Sequence, residues 1–247
     1  MNLITKLLSI VIAGIFLSVN FACTKTTVEP GPSTPVNTGS VQFDISYEID
    51  GESLYYDTNR YQNDFGNVYG ITKLEYYISD ITFIGETGNK FTHHRVNYLN
   101  AKMDSTNVIH VENVPVGNYS HLELSIGLNS DSNLSNNLPS TLENLNMFWP
   151  EPMGGGYHFI KMEGRFVEGN GAKGYAMHVG TNTCLIAVTI EQPIVIGAQN
   201  QIELRMNINE WFRDPIIFDL ATANYIMGDQ EKMLEIAGNG HNIFSIK

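Results

Sequence analysis

The stretch Ile71-Thr72-Lys73-Leu74-Glu75-Tyr76-Tyr77-Ile78-Ser79-Asp80-Ile81-Thr82-Phe83-Ile84 decides the fold class. It is dense in β-branched and aromatic side chains, which fit a pleated and half-buried surface. Neither glycine nor proline interrupts it. Its apolar phase slips near Ser79-Asp80, which predicts a bulge or bend there. Outward from this stretch, shorter runs alternate with turn signals. Val41, Phe43 and Ile45 alternate with Gln42, Asp44 and Ser46, and Asp50-Gly51 supplies a turn. Residues 108–111 read as a strand, and residues 114–119 as a turn into the next. There Leu122, Leu124 and Ile126 face one way and His121, Glu123 and Ser125 the other. Residues 157–167, 174–179, 185–190, 194–196, 202–208 and 243–246 read as further strands. Ser140 with Glu143 forms a capping box for a short helix. Residues 209–212 suit a helical turn, and residues 230–236 a helix ending at Gly238. The pattern predicts an all-β chain: a single antiparallel β-sandwich, Greek-key or immunoglobulin-like, with one or two short helices.

The first 40 residues of the 247-residue chain carry a different signal. Residues 1–22 read as a signal peptide. Lys6 is their one charge, and residues 7–19 are apolar except for Ser9, Gly14 and Ser18. That run is shorter than the roughly 20 residues a membrane span needs. Asn20-Phe21-Ala22-Cys23 follows, and a small residue directly before cysteine is what bacterial lipoprotein processing requires. Asn20 and Phe21 fit that box poorly, so two readings stand: lipidation at Cys23, or an ordinary cut near Ala22 with Cys23 incidental. Residues 23–40 form the lipidated cysteine and a tether. Pro30, Pro32 and Pro35 sit there without apolar periodicity. Residues 41–247 form the domain. The expected address is the outer membrane or periplasmic face of a Gram-negative bacterium, with the lipid anchor in the membrane. A formal charge of −12 argues against nucleic acid as a partner. Cys184, the second of two cysteines, reads as a buried small hydrophobe.

Standard catalytic signatures are missing, so no enzyme is expected. Gly154-Gly155-Gly156 is a flexible loop and not a dinucleotide fingerprint. Just before it, Trp149 precedes a proline and should be extended. Its polar and glycine-rich flanks suggest a place near the surface. There it would be a binding platform or, favoured on composition, a plug folding back. Histidines are scattered. His93 and His94 read as solvated, His110 and His121 as outward. His158 alternates with Tyr157 and Phe159, and His178 with Met177 and Val179. On spacing alone each is a structural residue rather than a ligand. Met147, Met153, Met162 and Met177 are core filler or soft thioethers for copper(I). Lys161 and Glu163 share a strand face and read as a structural ion pair.

Four blocks, in order, resemble the MbnP-like copper-binding proteins. The first is residues 69–81, with Tyr77, Ser79 and Asp80. The second is Ile126-Gly127-Leu128-Asn129. The third is Met147-Phe148-Trp149 with Gly156-Tyr157-His158-Phe159-Ile160-Lys161-Met162-Glu163-Gly164. The fourth is Met177-His178-Val179-Gly180. The resemblance implies an extracytoplasmic β-sandwich that binds copper through histidines and a tryptophan oxidised to kynurenine by a di-haem MbnH-type partner. By position His178 is the inherited ligand and Trp149 the modifiable tryptophan. A second histidine ligand is left open. Tyr47 stands where a histidine would be attractive, Glu151 and Met153 lie near Trp149, and His158 occupies a place read as outward. The alternative is a metal-free surface binding or structural module.

Overall fold

The computed structural model describes residues 37–247, so the leader, Cys23 and the tether up to residue 36 lie outside the described residues. Strand β1 (Thr38–Ile49) buries Val41, Phe43 and Ile45, as its alternation requires. Asp50 and Gly51, both at positive φ, turn it into β2 (Glu52–Ser53). Next come β3 (Tyr61–Gln62), the long β4 (Val68–Gly85), β5 (Lys90–His93) and β6 (Asn97–Asn100). Then follow β7 (Val108–Pro115) and β8 (Gly117–Ile126), which leads to helix α1 (Leu142–Asn146). Strands β9 (His158–Glu168), β10 (Gly171–Gly180), β11 (Ile186–Ile190), β12 (Ile194–Ile196) and β13 (Gln199–Asn207) precede helix α2 (Gln230–Asn239) and β14 (Phe244–Ile246).

The fold is all-β, as expected. One sheet runs β14-β13-β1-β2, with β7 also against β1. The other runs β10-β9-β4-β8-β11, with β3, β5 and β6 on β4 and β12 on β8. Among the strands of the described residues, one pairing departs from a purely antiparallel sandwich: β1 and β13 are parallel. A parallel pair needs a long crossover, and here the whole second sheet is strung between the two strands.

Strand β4 organises that second sheet. Tyr76 pairs with Leu99 of β6 and Ile160 of β9, and Ile78 with Asn97 of β6 and Ile126 of β8. A strand residue has two edges, so β9 and β8 share one edge of β4 end to end, and β6 takes the other. The slip at Ser79-Asp80 is real. The β4–β8 register shifts between Ser79 and Thr82, and Asp80 sits at φ 50°.

Capping differs from expectation by one residue. The N-cap of α1 is Thr141, not Ser140, and its hydroxyl accepts from the Asn144 N–H at 3.3 Å. Helix α2 continues past Gly238 to Asn239, whose buried amide donates to the carbonyls of Trp211 and Ile216.

Large aromatics hold the sheets together. The Phe43 and Phe83 rings lie 6.0 Å apart across the sandwich. Tyr47 and Tyr76 join their hydroxyls at 3.0 Å, and the Tyr69 hydroxyl donates to Asn209 at 2.7 Å. Phe83 also meets Phe91 and Tyr119. Truncating it leaves a cavity ringed by aromatics that cannot collapse together. Phe83→Ala is expected to cost about 3–5 kcal/mol, read by urea denaturation.

Candidate metal centre

The site is built from the loop before β9 and the paired ends of β9 and β10. Residues 147–158 fold as a closed loop. The Trp149 N–H donates to the Gly156 carbonyl at 2.9 Å, and the His158 N–H to the Met147 carbonyl at 2.6 Å. Between them lie the 3-10 turn Glu151–Met153 and three glycines at φ 112°, 69° and 86°. Only glycine takes three such conformations in succession at low cost. The polar and glycine-rich flanks therefore do not leave Trp149 near the surface. They fold it back, and it is 2% exposed. Its Nε1–H donates to the Met153 carbonyl at 3.1 Å. Its six-membered ring lies over Gly180, where a Cβ would come within 2.5 Å of Cε3.

His158 is the residue that alternation misplaces. Along β9–β10 the register is regular from Gly171↔Glu168 to Val179↔Ile160, and then Gly180 pairs with His158. One residue of β9 is skipped. Such a bulge changes the phase of a strand and re-aims its side chains. His158 is thus buried (4% exposed) rather than outward. Its ring stands 4.8 Å from the Trp149 indole and 5.2 Å from the His178 ring, edge-on to both. The structure brings Trp149, His158 and His178 together.

The hydrogen bonds of the two imidazoles define their tautomers. His158 Nδ1 lies 3.1 Å from the Met147 carbonyl, which can only accept. Nδ1 therefore carries the proton and Nε2 the lone pair. That Nε2 is buried and has no protein partner. Burial, reinforced by the Lys161 ammonium, pushes the His158 pKa down to about 3. His178 Nε2 lies 3.0 Å from Glu163 Oε1, and burial lowers its pKa despite the carboxylate.

Lys161 and Glu163 do not form the expected ion pair. Glu163 binds His178 and, at 3.2 Å, the Lys73 ammonium. Lys161 donates to the Asn146 carbonyl, and burial lowers its pKa. The other candidates lie elsewhere. His94 pairs with Asp80, His93 is half-buried, and His110 is exposed. Met162 and Met177 pair across β9–β10 and are buried. Met177 precedes His178 in the strand and so points to the opposite face. Tyr47 is engaged by Tyr76 and Asn107 between the sheets. Cys184 is buried, beside the Thr181 hydroxyl and the Gln230 amide. Among the described residues no group of three or more His, Cys, Asp or Glu is spaced to hold a metal.

The sequence profile of the MbnP family matches residues 38–228. The chain belongs to the MbnP family. Membership links it to copper-related biology. Among solved structures, MbnP from Methylosinus trichosporium superposes with a TM-score of 0.56 at 14% identity. The match covers 85% of this chain and 99% of that one. At that identity the likeness is one of fold. No curated protein matches this MbnP-family chain in sequence.

The depressed His158 pKa has a consequence for stability. Folded, the ring stays neutral down to about pH 3; unfolded, it takes a proton below about 6.5. The unfolded state thus binds more protons in between, and stability is lost as pH falls through that window. The loss is about 1.4 kcal/mol per pH unit from this group alone. His158→Gln should flatten that slope in urea denaturation measured between about pH 7 and 4.

Proposed function

We propose that this MbnP-family protein is an exported lipoprotein that binds copper(I) as cargo for acquisition or handling, and is not an enzyme. One observation carries the reading: the buried, unpartnered Nε2 of His158, set beside the His178 and Trp149 rings. A lone pair left dry and unbonded is costly unless a ligand takes it. His178, with its Nε2 on Glu163, keeps a second lone pair at Nδ1. Two neutral imidazole nitrogens suit copper(I), and neutrality without protonation is what binding demands. His158 is then the second histidine that the motif blocks leave open.

Trp149 enters differently. Its Nε1–H is a donor only and is already committed to Met153. An intact indole offers no lone pair to a metal. Oxidised to kynurenine, it would offer an aniline nitrogen and a ketone oxygen. That conversion needs an external oxidant, for which a di-haem MbnH-type partner is the proposed source; the protein is its substrate. Lipidation at Cys23 would hold the acidic domain outside the cytoplasm, where copper and that partner are met.

Protein isolated from its native host should carry a single copper(I) ion. His158→Ala and His178→Ala should each abolish it. Intact mass should show one oxygen gained and one carbon lost, a change absent in Trp149→Phe. Full copper uptake by both histidine variants would remove the assignment. The second reading, a metal-free module, draws on the lack of a three-ligand His/Cys/Asp/Glu group among the described residues. It predicts no copper in the native protein. Separately, Cys23→Ser should abolish incorporation of labelled fatty acid and release the protein from membranes.

A further inference from the structure

We propose that Glu163 is a positioning residue for His178: its carboxylate selects which ring nitrogen carries the proton, and Lys73 holds the carboxylate in place. The inference rests on His178 belonging to the copper site proposed above.

The three groups lie in a row across neighbouring strands. Lys73 of β4 pairs in register with Glu163 of β9, and Glu163 sits opposite Ala176, two residues before His178 on β10. One carboxylate oxygen, Oε1, takes both contacts: 3.0 Å to His178 Nε2 and 3.2 Å to Lys73 Nζ. A carboxylate can only accept, so the ring must present Nε2–H and keep its lone pair on Nδ1. Burial raises the Glu163 pKa, but hydrogen bonds from His178 and Lys73 outweigh it and keep the group ionised at neutral pH.

The other neighbour of His178 has been turned away. Lys161 is its direct register partner, and a cation there could not accept a proton. Its ammonium donates instead to the Asn146 carbonyl. Glu163 is thus the acceptor that this ring meets. The pair of histidines becomes complementary: His158 donates from Nδ1 to a backbone carbonyl, and His178 donates from Nε2 to a side-chain carboxylate. A carboxylate behind a metal-binding histidine fixes tautomer and ring orientation, and its loss typically weakens metal binding 10- to 100-fold.

The experiment reads the proton first and the metal second. Long-range proton–nitrogen correlation spectra of the metal-free, nitrogen-labelled protein near neutral pH report the His178 tautomer directly. Wild type and Glu163→Gln should both show protonated Nε2, because the glutamine carbonyl still accepts. Glu163→Ala should show mixed tautomers, and its copper(I) affinity should fall roughly 10- to 100-fold while that of Glu163→Gln changes little. Protonated Nδ1 in wild type overturns the proposal without any variant, which covers the case in which Glu163→Ala does not fold. An unchanged His178 pattern in folded Glu163→Ala overturns it equally. A Glu163-dependent tautomer in a protein that takes up no copper supports the positioning role and overturns the copper reading alone.

Discussion

A strand of eighteen residues must satisfy the hydrogen bonds of two long edges, and the rest of this structure is arranged around how β4 does so. On one edge β9 and β8 follow each other end to end; on the other lie β3, β6 and β5. The Asp80 bulge falls near the hand-over from β9 to β8. Because β9 is bound to the first half of β4, its far edge is free to take β10, and the two ends of that hairpin carry His158 and His178. The candidate metal centre is therefore an outgrowth of the sheet that β4 nucleates, closed by the loop through Trp149.

Rigidity around the site comes from backbone commitments rather than from a cage of side chains. The Met147 carbonyl accepts from both the backbone and the ring of His158, so one atom fixes the strand entry and the tautomer. Gly180 leaves room for the indole, and the three glycines of the loop turn the chain tightly enough to bury it. The second imidazole is held by a carboxylate tied in turn to a lysine on the neighbouring strand. Neutral rings, one buried and one half-buried, each with one nitrogen spoken for, offer imidazole donors that suit copper and little to a hard cation. The two buried aromatic and imidazole layers share their volume, so changes to Trp149 and to His158 should not be additive.

Much of the fold was legible in the residues. Period-2 alternation in β1, β8 and β13 reflects one buried face and one wet face, and such contrast survives in sequence. The slip in β4 was visible for the same reason: apolar side chains change sides at Ser79-Asp80. The bulge in β9 was not. Residues 158–162 are all buried, so both faces of that strand end read alike and a skipped residue leaves no trace. That is why alternation places His158 outward. Lys161 and Glu163 do share a strand face, but partners outside the strand, Asn146 for one and Lys73 with His178 for the other, draw them apart. For Trp149 the polar neighbours suggest a place near the surface while composition favours a plug folding back, and the closed turns of the glycine loop produce the plug.

By itself, the sequence determined the all-β class, the placement of most strands and short helices, and the candidacy of His178 and Trp149. These are properties of local pattern and of ordered motif blocks, and they need no knowledge of what lies across the sheet. Only the tertiary structure decided that β1 and β13 run parallel, that His158 turns inward to join His178 and Trp149, and that Glu163 and Lys73 stand behind that pair. Register, bulges and tautomers are set by partners far away in the chain. A run of residues carries no record of which backbone carbonyl or carboxylate will meet it.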